Sequence, residues 1–247
     1  MSENGRYEDV RGEEVLSASQ LDRFTSELNR ELERRRQKYG LDGESDFTLY
    51  GVGGAQTMMY HIPDMEERKA NDLDYMVSHT NHPQDKLSFT EAKAIHEAFE
   101  SLGFELTTGQ QDRTYDPRVE NTQTLSNVDG TKNGLPVTNI DLMAGQKPLG
   151  KYPLEWVEEY GKPVSDSLGI LGLEATAVRK IFRNTVDYQG REDESQTFDI
   201  GAISGHVAGQ TNGFDVGTFE ESWEELLEAN QDKDKPVSEA KAILKGH

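Results

Sequence analysis

GVGGAQTMMYHIPDMEERKANDLDYMVS, residues 51–78, is the stretch on which the reading of this chain turns. It opens on the pair Gly53–Gly54 and closes on Asp72-Leu73-Asp74, set among residues that favour β-strands. Strand alternation puts Leu73, Tyr75 and Val77 on one face and Asp72, Asp74 and Met76 on the other. Two carboxylates on the same strand face destabilise each other unless something positive sits between them. A solvated strand end accommodates such a pair taken alone, and so does a bound cation.

Working outward, PVTNIDLMAG (residues 136–145) predicts a further strand that carries a third aspartate, Asp141, in a similar setting. The chain has no cysteine, and His61, His79, His82 and His96 lack metal-ligand spacing, so surface or core roles are expected for them. Three converging carboxylates make a hard, oxygen-only donor set, which suits Mg²⁺ or Mn²⁺ rather than zinc. Upstream, Phe47–Tyr50 reads as a strand that ends at Gly51, Gly53 and Gly54, and Ala55–Tyr60 as the start of a helix. A glycine turn into a helix lets backbone N–H groups approach a phosphate, with the helix dipole behind them. A plain turn, or a need for positive φ at Gly54, would use the same glycines.

The remaining elements are read from caps and periodicity. Ser17 and Gln20 form a capping box ahead of an apolar stripe of Leu21, Phe24, Leu28 and Leu32. Arg34, Arg35, Arg36 and Lys38 crowd the end of that helix before Gly40, where they either complement its dipole or face a phosphate. Ser88 and Glu91 form a second box, opening a helix through Ile95, Phe99 and Leu102 that Gly103 stops, and Phe104–Thr107 follows as a strand. Residues 108–134 are polar and turn-rich, which predicts a long loop or an irregular hairpin. From Glu155 onward the pattern is mostly helical, with FDIGAIS (198–204) compatible with helix or strand. Met58 and Met59 are expected as core filler, and Trp156, Tyr160 and Trp223 as packing for the helical part. The expected fold is α+β: residues 1–150 form a small mixed β-sheet core flanked by helices, and 151–247 a mostly helical region, with a seam near Gly145–Pro153.

The formal net charge is −20, with 34% hydrophobic and 29% charged residues. Such a field repels nucleic acid and anionic membranes, so an anionic substrate needs a local positive patch or a metal ion. The excess of acid is also compatible with adaptation to high salt. No apolar run approaches the roughly 20 residues of a membrane span, and MSENGRYEDVRGEE is too polar for a signal peptide. A cytoplasmic protein without membrane contact is expected.

Taken in order, GVGGAQTMM, RKANDLDY and TNIDLM resemble the DNA polymerase β-like nucleotidyltransferase superfamily, and within it the abortive-infection toxin (AbiEii-like) type. The likeness covers residues 47–78 and 137–143, extends thinly over 173–200, and goes no further. It implies a nucleotidyltransferase core in which Asp72 and Asp74 bind two metal ions and Asp141 completes the site of the ion that activates an acceptor hydroxyl. Gly53 and Gly54 would cradle a triphosphate, and Arg68 stands four residues before the first aspartate, as the family's arginine often does. ATAVRKIFRNTVDYQGREDESQTFD is similar to the family's helix with a lysine, then an arginine, a lysine–aspartate and a further aspartate. Lys180 and Arg183, three apart on one helix face, are thereby candidates to touch nucleotide phosphates. Beside Ala177, Val178, Ile181 and Phe182 they could equally form a solvated edge. The sequence departs from the family in three places. Ala55 replaces a small hydroxyl residue, which leaves Thr57 or Gln56 to contact phosphate. Ala70 stands where serine or threonine is usual, and Glu192-Asp193 where Lys-Asp often occurs.

The implied activity is Mg²⁺-dependent transfer of a nucleoside monophosphate from an NTP such as ATP to a hydroxyl acceptor, an RNA end, a protein or a small molecule, with release of pyrophosphate. One alternative is a catalytically silent nucleotide-binding or toxin–antitoxin-type module with an antitoxin partner. Another is an interaction protein that works through its acidic surface.

Overall fold

The computed structural model describes residues 15–41, 47–62, 65, 67–68, 70, 72–78, 88–107, 121–144, 152–183, 185, 194–209, 213–230 and 236–246. Strand β1 (Leu16–Ser17) runs into helix α1 (Ala18–Tyr39), and β2 (Thr48–Gly51) into α2 (Gly54–His61). The short β3 (Glu67–Arg68) and β4 (Asp72–Ser78) precede α3 (Phe89–Ser101) and β5 (Phe104–Leu106). Next come β6 (Asn121–Asn127), α4 (Gly130–Asn133), β7 (Asn139–Ala144) and α5 (Leu154–Tyr160). The chain then forms β8 (Gly161–Pro163), β9 (Leu168–Leu171), α6 (Leu173–Phe182), α7 (Glu194–Gly209), α8 (Val216–Ala229) and α9 (Val237–Gly246).

Both capping boxes form, Ser17 with Gln20 at α1 and Ser88 with Glu91 at α3, and Gly40 ends α1 in the left-handed conformation at φ 65°. Among the described residues the main sheet has seven strands in the order β5-β6-β7-β4-β2-β9-β8, and β1 pairs with β3 in a separate ribbon. The β4–β7 and β2–β9 pairs are parallel and the rest of the main sheet is antiparallel, so the fold is mixed α+β. Alternation along β4 sorts the core into two layers. Leu73, Tyr75 and Val77 pack with Leu21, Phe24, Leu28 and Leu32 of α1 and with Ile95 and Phe99 of α3. Met76 and Met143 point the other way, into a core with Trp156, Val178, Ile181, Ile203 and Trp223 from α5 to α8. No helix among the described residues is long and apolar enough to cross a membrane.

The polar stretch 108–134 takes the hairpin form where it is described, because β5 and β6 pair antiparallel. Residues 108–120 lie outside the described residues. NTQTLSN has a weak strand pattern, and tertiary partners supply what propensity lacks. Inward-facing Gln123 meets His96 Nε2 at 2.7 Å. Asn127 Nδ2 donates to the carbonyl oxygens of Leu135 (3.3 Å) and Val137 (2.8 Å). Beyond residue 150 the helical run is interrupted: β8 and β9 enter the main sheet, with β9 beside β2. FDIGAIS is helical, as part of α7. Most of the expected seam, residues 145–151, lies outside the described residues.

The cation run at the end of α1 is used in packing. Arg35 and Lys38 reach Glu97 of α3 at 3.4 Å and 2.7 Å. Arg36 donates to Ser167 Oγ at 2.7 Å and lies over the Phe47 ring, 5.3 Å from its centroid.

Candidate functional site

The parallel register of β4 and β7 sets Asp74 directly opposite Asp141, and Asp72 opposite Asn139. All three aspartates stand at the start of their strands, on the sheet face that carries Met76 and Met143 further along. One carboxylate oxygen from each of Asp72, Asp74 and Asp141 lies within 4.8 Å of the others. Asp72 is exposed, and Asp74 and Asp141 are half-buried. The glycine turn is tied over this trio, because Val52 N–H donates to Asp74 O at 2.9 Å.

Although Asp72 is exposed, partial desolvation by the surrounding protein drives its carboxyl up to about 6, and the neighbouring charges of Asp74 and Asp141 add to the effect. Asp74 is raised too, chiefly by burial and also by Asp141, while Arg179, Lys180 and Arg183 pull in the opposite direction. A carboxyl whose pKa rises on folding stabilises the fold below its unfolded value. It loses that contribution as pH climbs through its folded value. In the presence of a chelator, wild type should therefore weaken relative to Asp72→Asn between the ordinary value of 3.8 and about 6. Solvent screening at this exposed residue limits the gap at pH 7 to on the order of 1 kcal/mol, in favour of Asp72→Asn. Thermal melts at pH 4 and pH 7 check this: the two proteins should agree at the lower pH only.

Both glycines stand in crowded surroundings. A Cβ on Gly53 would sit 3.1 Å from Asp74 N and 3.4 Å from Asp74 Oδ2. A Cβ on Gly54 would sit 2.5 Å from Lys180 Nζ and 3.3 Å from Asp199 Oδ2. Positive φ is not the reason, since among the described residues it occurs at Gly40, Gly103 and Gly134. Gly54→Ala should thus displace a buried ion pair and cost about 1–3 kcal/mol, as overpacking does. Urea denaturation tests this, and an unchanged midpoint would mean the pair yields freely.

The first helical bond of α2 runs from Thr57 N–H to Gly53 O at 2.9 Å. The N–H groups of Gly54, Ala55 and Gln56 therefore precede the intrahelical ladder, where anions bind. The Thr57 hydroxyl is fully buried and turned into its own helix, donating to Gly53 O at 3.0 Å. Every residue of α6 is buried, so its cations need internal partners. Lys180 Nζ forms an ion pair with the fully buried Asp199 of α7. Arg179 Nη1 donates to Val52 O at the glycine turn, and its guanidinium lies 5.8 Å from the centroid of the Tyr152 ring. Arg183 caps α6 and is half-buried. Arg68 pairs through its backbone with Leu16, and its side chain lies outside the described residues.

The fold thus brings Asp72, Asp74, Asp141, Gly53, Gly54, Lys180 and Arg183 to one end of the sheet. Sequence reasoning missed two members of the neighbourhood. Arg179 carried a signal, four residues before Arg183 and so on the same helix face. Thr124, whose Oγ1 donates to Asp141 Oδ1 at 2.7 Å, carried none. Of the histidines, His61 Nε2 meets Leu171 O at 2.8 Å and His96 is buried against Gln123, whereas His79 and His82 lie outside the described residues. The chain matches no model of a known protein family, and no curated protein sequence matches it.

Proposed function

We propose that this chain is a metal-dependent nucleotidyltransferase that moves an NMP group from an NTP to a hydroxyl acceptor. The observation that carries the reading is the convergence of three carboxylates within 4.8 Å beside the first N–H groups of α2. Asp72 and Asp74, both raised by burial and like-charge crowding, form a donor set that a divalent cation would relieve. The all-oxygen chemistry fits Mg²⁺ or Mn²⁺, held by Asp72, Asp74 and Asp141. Such an ion, when bound, polarises a phosphoryl group and lowers the pKa of an attacking hydroxyl. The chain's own residues do the rest. The N–H groups at the start of α2 orient the triphosphate, and the positive field of Arg179 and Arg183 offsets its charge. An acceptor oxygen–α-phosphorus bond forms, the bond to the pyrophosphate bridging oxygen breaks, and the acceptor hydroxyl loses its proton. ATP as donor, an RNA end, protein or small molecule as acceptor, and a cytoplasmic setting belong to the same proposal.

Two observations favour a second reading, a nucleotide-binding or toxin–antitoxin-type module without turnover. Lys180 is ion-paired with Asp199, and the Thr57 hydroxyl is bonded to its own helix. Incubation with each α-labelled NTP, Mg²⁺ or Mn²⁺ and a cell extract, followed by separation of RNA, protein and metabolites, tests the choice. Metal-dependent transfer of label is expected. NTP binding by calorimetry without pyrophosphate release would support the silent module. Absence of any metal-dependent NTP binding would overturn both.

A further inference from the structure

The neighbours of the acidic trio extend one strand further. The register places Thr124 of β6 opposite Asp141 of β7, which is itself opposite Asp74 of β4. These three side chains form one row across three strands. The Thr124 hydroxyl donates to Asp141 Oδ1 at 2.7 Å. Ser126, two residues along on the same face, instead shares a hydrogen bond with Thr107 at 3.1 Å. Thr124 is half-buried, and its backbone is pinned by Thr107 N–H, which donates to Thr124 O at 2.9 Å. A β-branched side chain has few rotamers, so a fixed strand backbone also fixes the direction of this hydroxyl.

We infer that Thr124 is a positioning residue of the acidic site, whose hydroxyl holds the Asp141 carboxylate turned toward the cation shared with Asp72 and Asp74. This deepens the nucleotidyltransferase reading and rests on its metal site. The physical reason is geometric. Oδ1 of Asp141 is committed to the hydroxyl, so rotation of the carboxylate about its Cβ–Cγ bond costs that hydrogen bond. The carboxylate keeps its second oxygen and a further lone pair on Oδ1 as possible ligand positions. Partners that orient a metal-binding carboxylate in this way contribute roughly tenfold to a hundredfold to metal affinity. Asp74 differs in that the positive charges of Arg179, Lys180 and Arg183 act on its carboxylate.

The test is a Mn²⁺ titration of the full chain without nucleotide, with free Mn²⁺ read by electron paramagnetic resonance. Thr124→Val keeps the shape and removes the donor, and it should weaken Mn²⁺ binding by about tenfold to a hundredfold. Thr124→Ser keeps the donor and should bind within a few-fold of wild type. If Thr124→Val melts too low to titrate, Thr124→Ala removes the same hydroxyl and carries the same expectation. Wild-type affinity in the Val or Ala variant would overturn the inference. Equal losses in the Val and Ser variants would do so too, because packing rather than the hydroxyl would then be responsible. A wild-type protein that binds no Mn²⁺ fails the metal-site reading itself, a result distinct from either of these.

Discussion

Asp74→Asn should abolish the proposed nucleotidyl transfer while the fold survives. Asp74 sits at the centre of the site, opposite Asp141 and beneath the Gly53 turn. An amide keeps the shape of the side chain but removes the charge that would hold a divalent ion. A metal ion's charge stabilisation is worth several kcal/mol in the transition state. Its loss corresponds to a fall in turnover of about a thousandfold or more. Stability should move the other way or not at all. Burial and Asp141 raise the Asp74 carboxyl against the pull of Arg179, Lys180 and Arg183, so the charged form is on balance disfavoured in the folded apo protein. Pyrophosphate release at saturating NTP and Mn²⁺, beside a thermal melt in chelator, checks both halves. A variant that melts well below wild type without metal would recast Asp74 as the counter-ion of the α6 cations.

Lys180→Met should produce the largest change in stability. The Lys180 side chain is 6% exposed and Asp199 0%, and the two form an ion pair against the Gly54 backbone. Removing one partner of a buried pair takes compensation away from the other charge in a poor solvent for ions, at about 3–5 kcal/mol. Replacing both by apolar groups removes the charge as well as the attraction. Lys180→Met with Asp199→Leu should therefore recover much of the loss. The non-additivity is read from a double-mutant cycle in urea. A single-variant cost below about 1 kcal/mol is what exposed pairs show, and it would mean that water reaches the pair.

Positions 180 and 54 mark how far the sequence carried. The resemblance of its helix made Lys180 a candidate for phosphate contact, yet a one-dimensional pattern does not say whether a cation on an amphipathic helix meets solvent or another helix. That was decided when α6 was buried on all sides and α7 supplied Asp199. At position 54 the structure adds a steric reason for glycine that comes from elsewhere in the chain. The space a side chain would need there is taken by Lys180, and positive φ is not required.

What the sequence determined by itself is whatever depends on residues three or four apart, or on alternation within one strand. The boxes Ser17–Gln20 and Ser88–Glu91, the stop at Gly40 and the two faces of β4 are of this kind. Each is closed by near neighbours, so the code is local. Tertiary structure alone decided that Asp141 lies level with Asp74, that Thr124 reaches Asp141, and that β9 enters beside β2. Register between distant strands comes from the summed packing of both sheet faces. Side-chain period alone tells which face a residue occupies and leaves open which partner stands opposite.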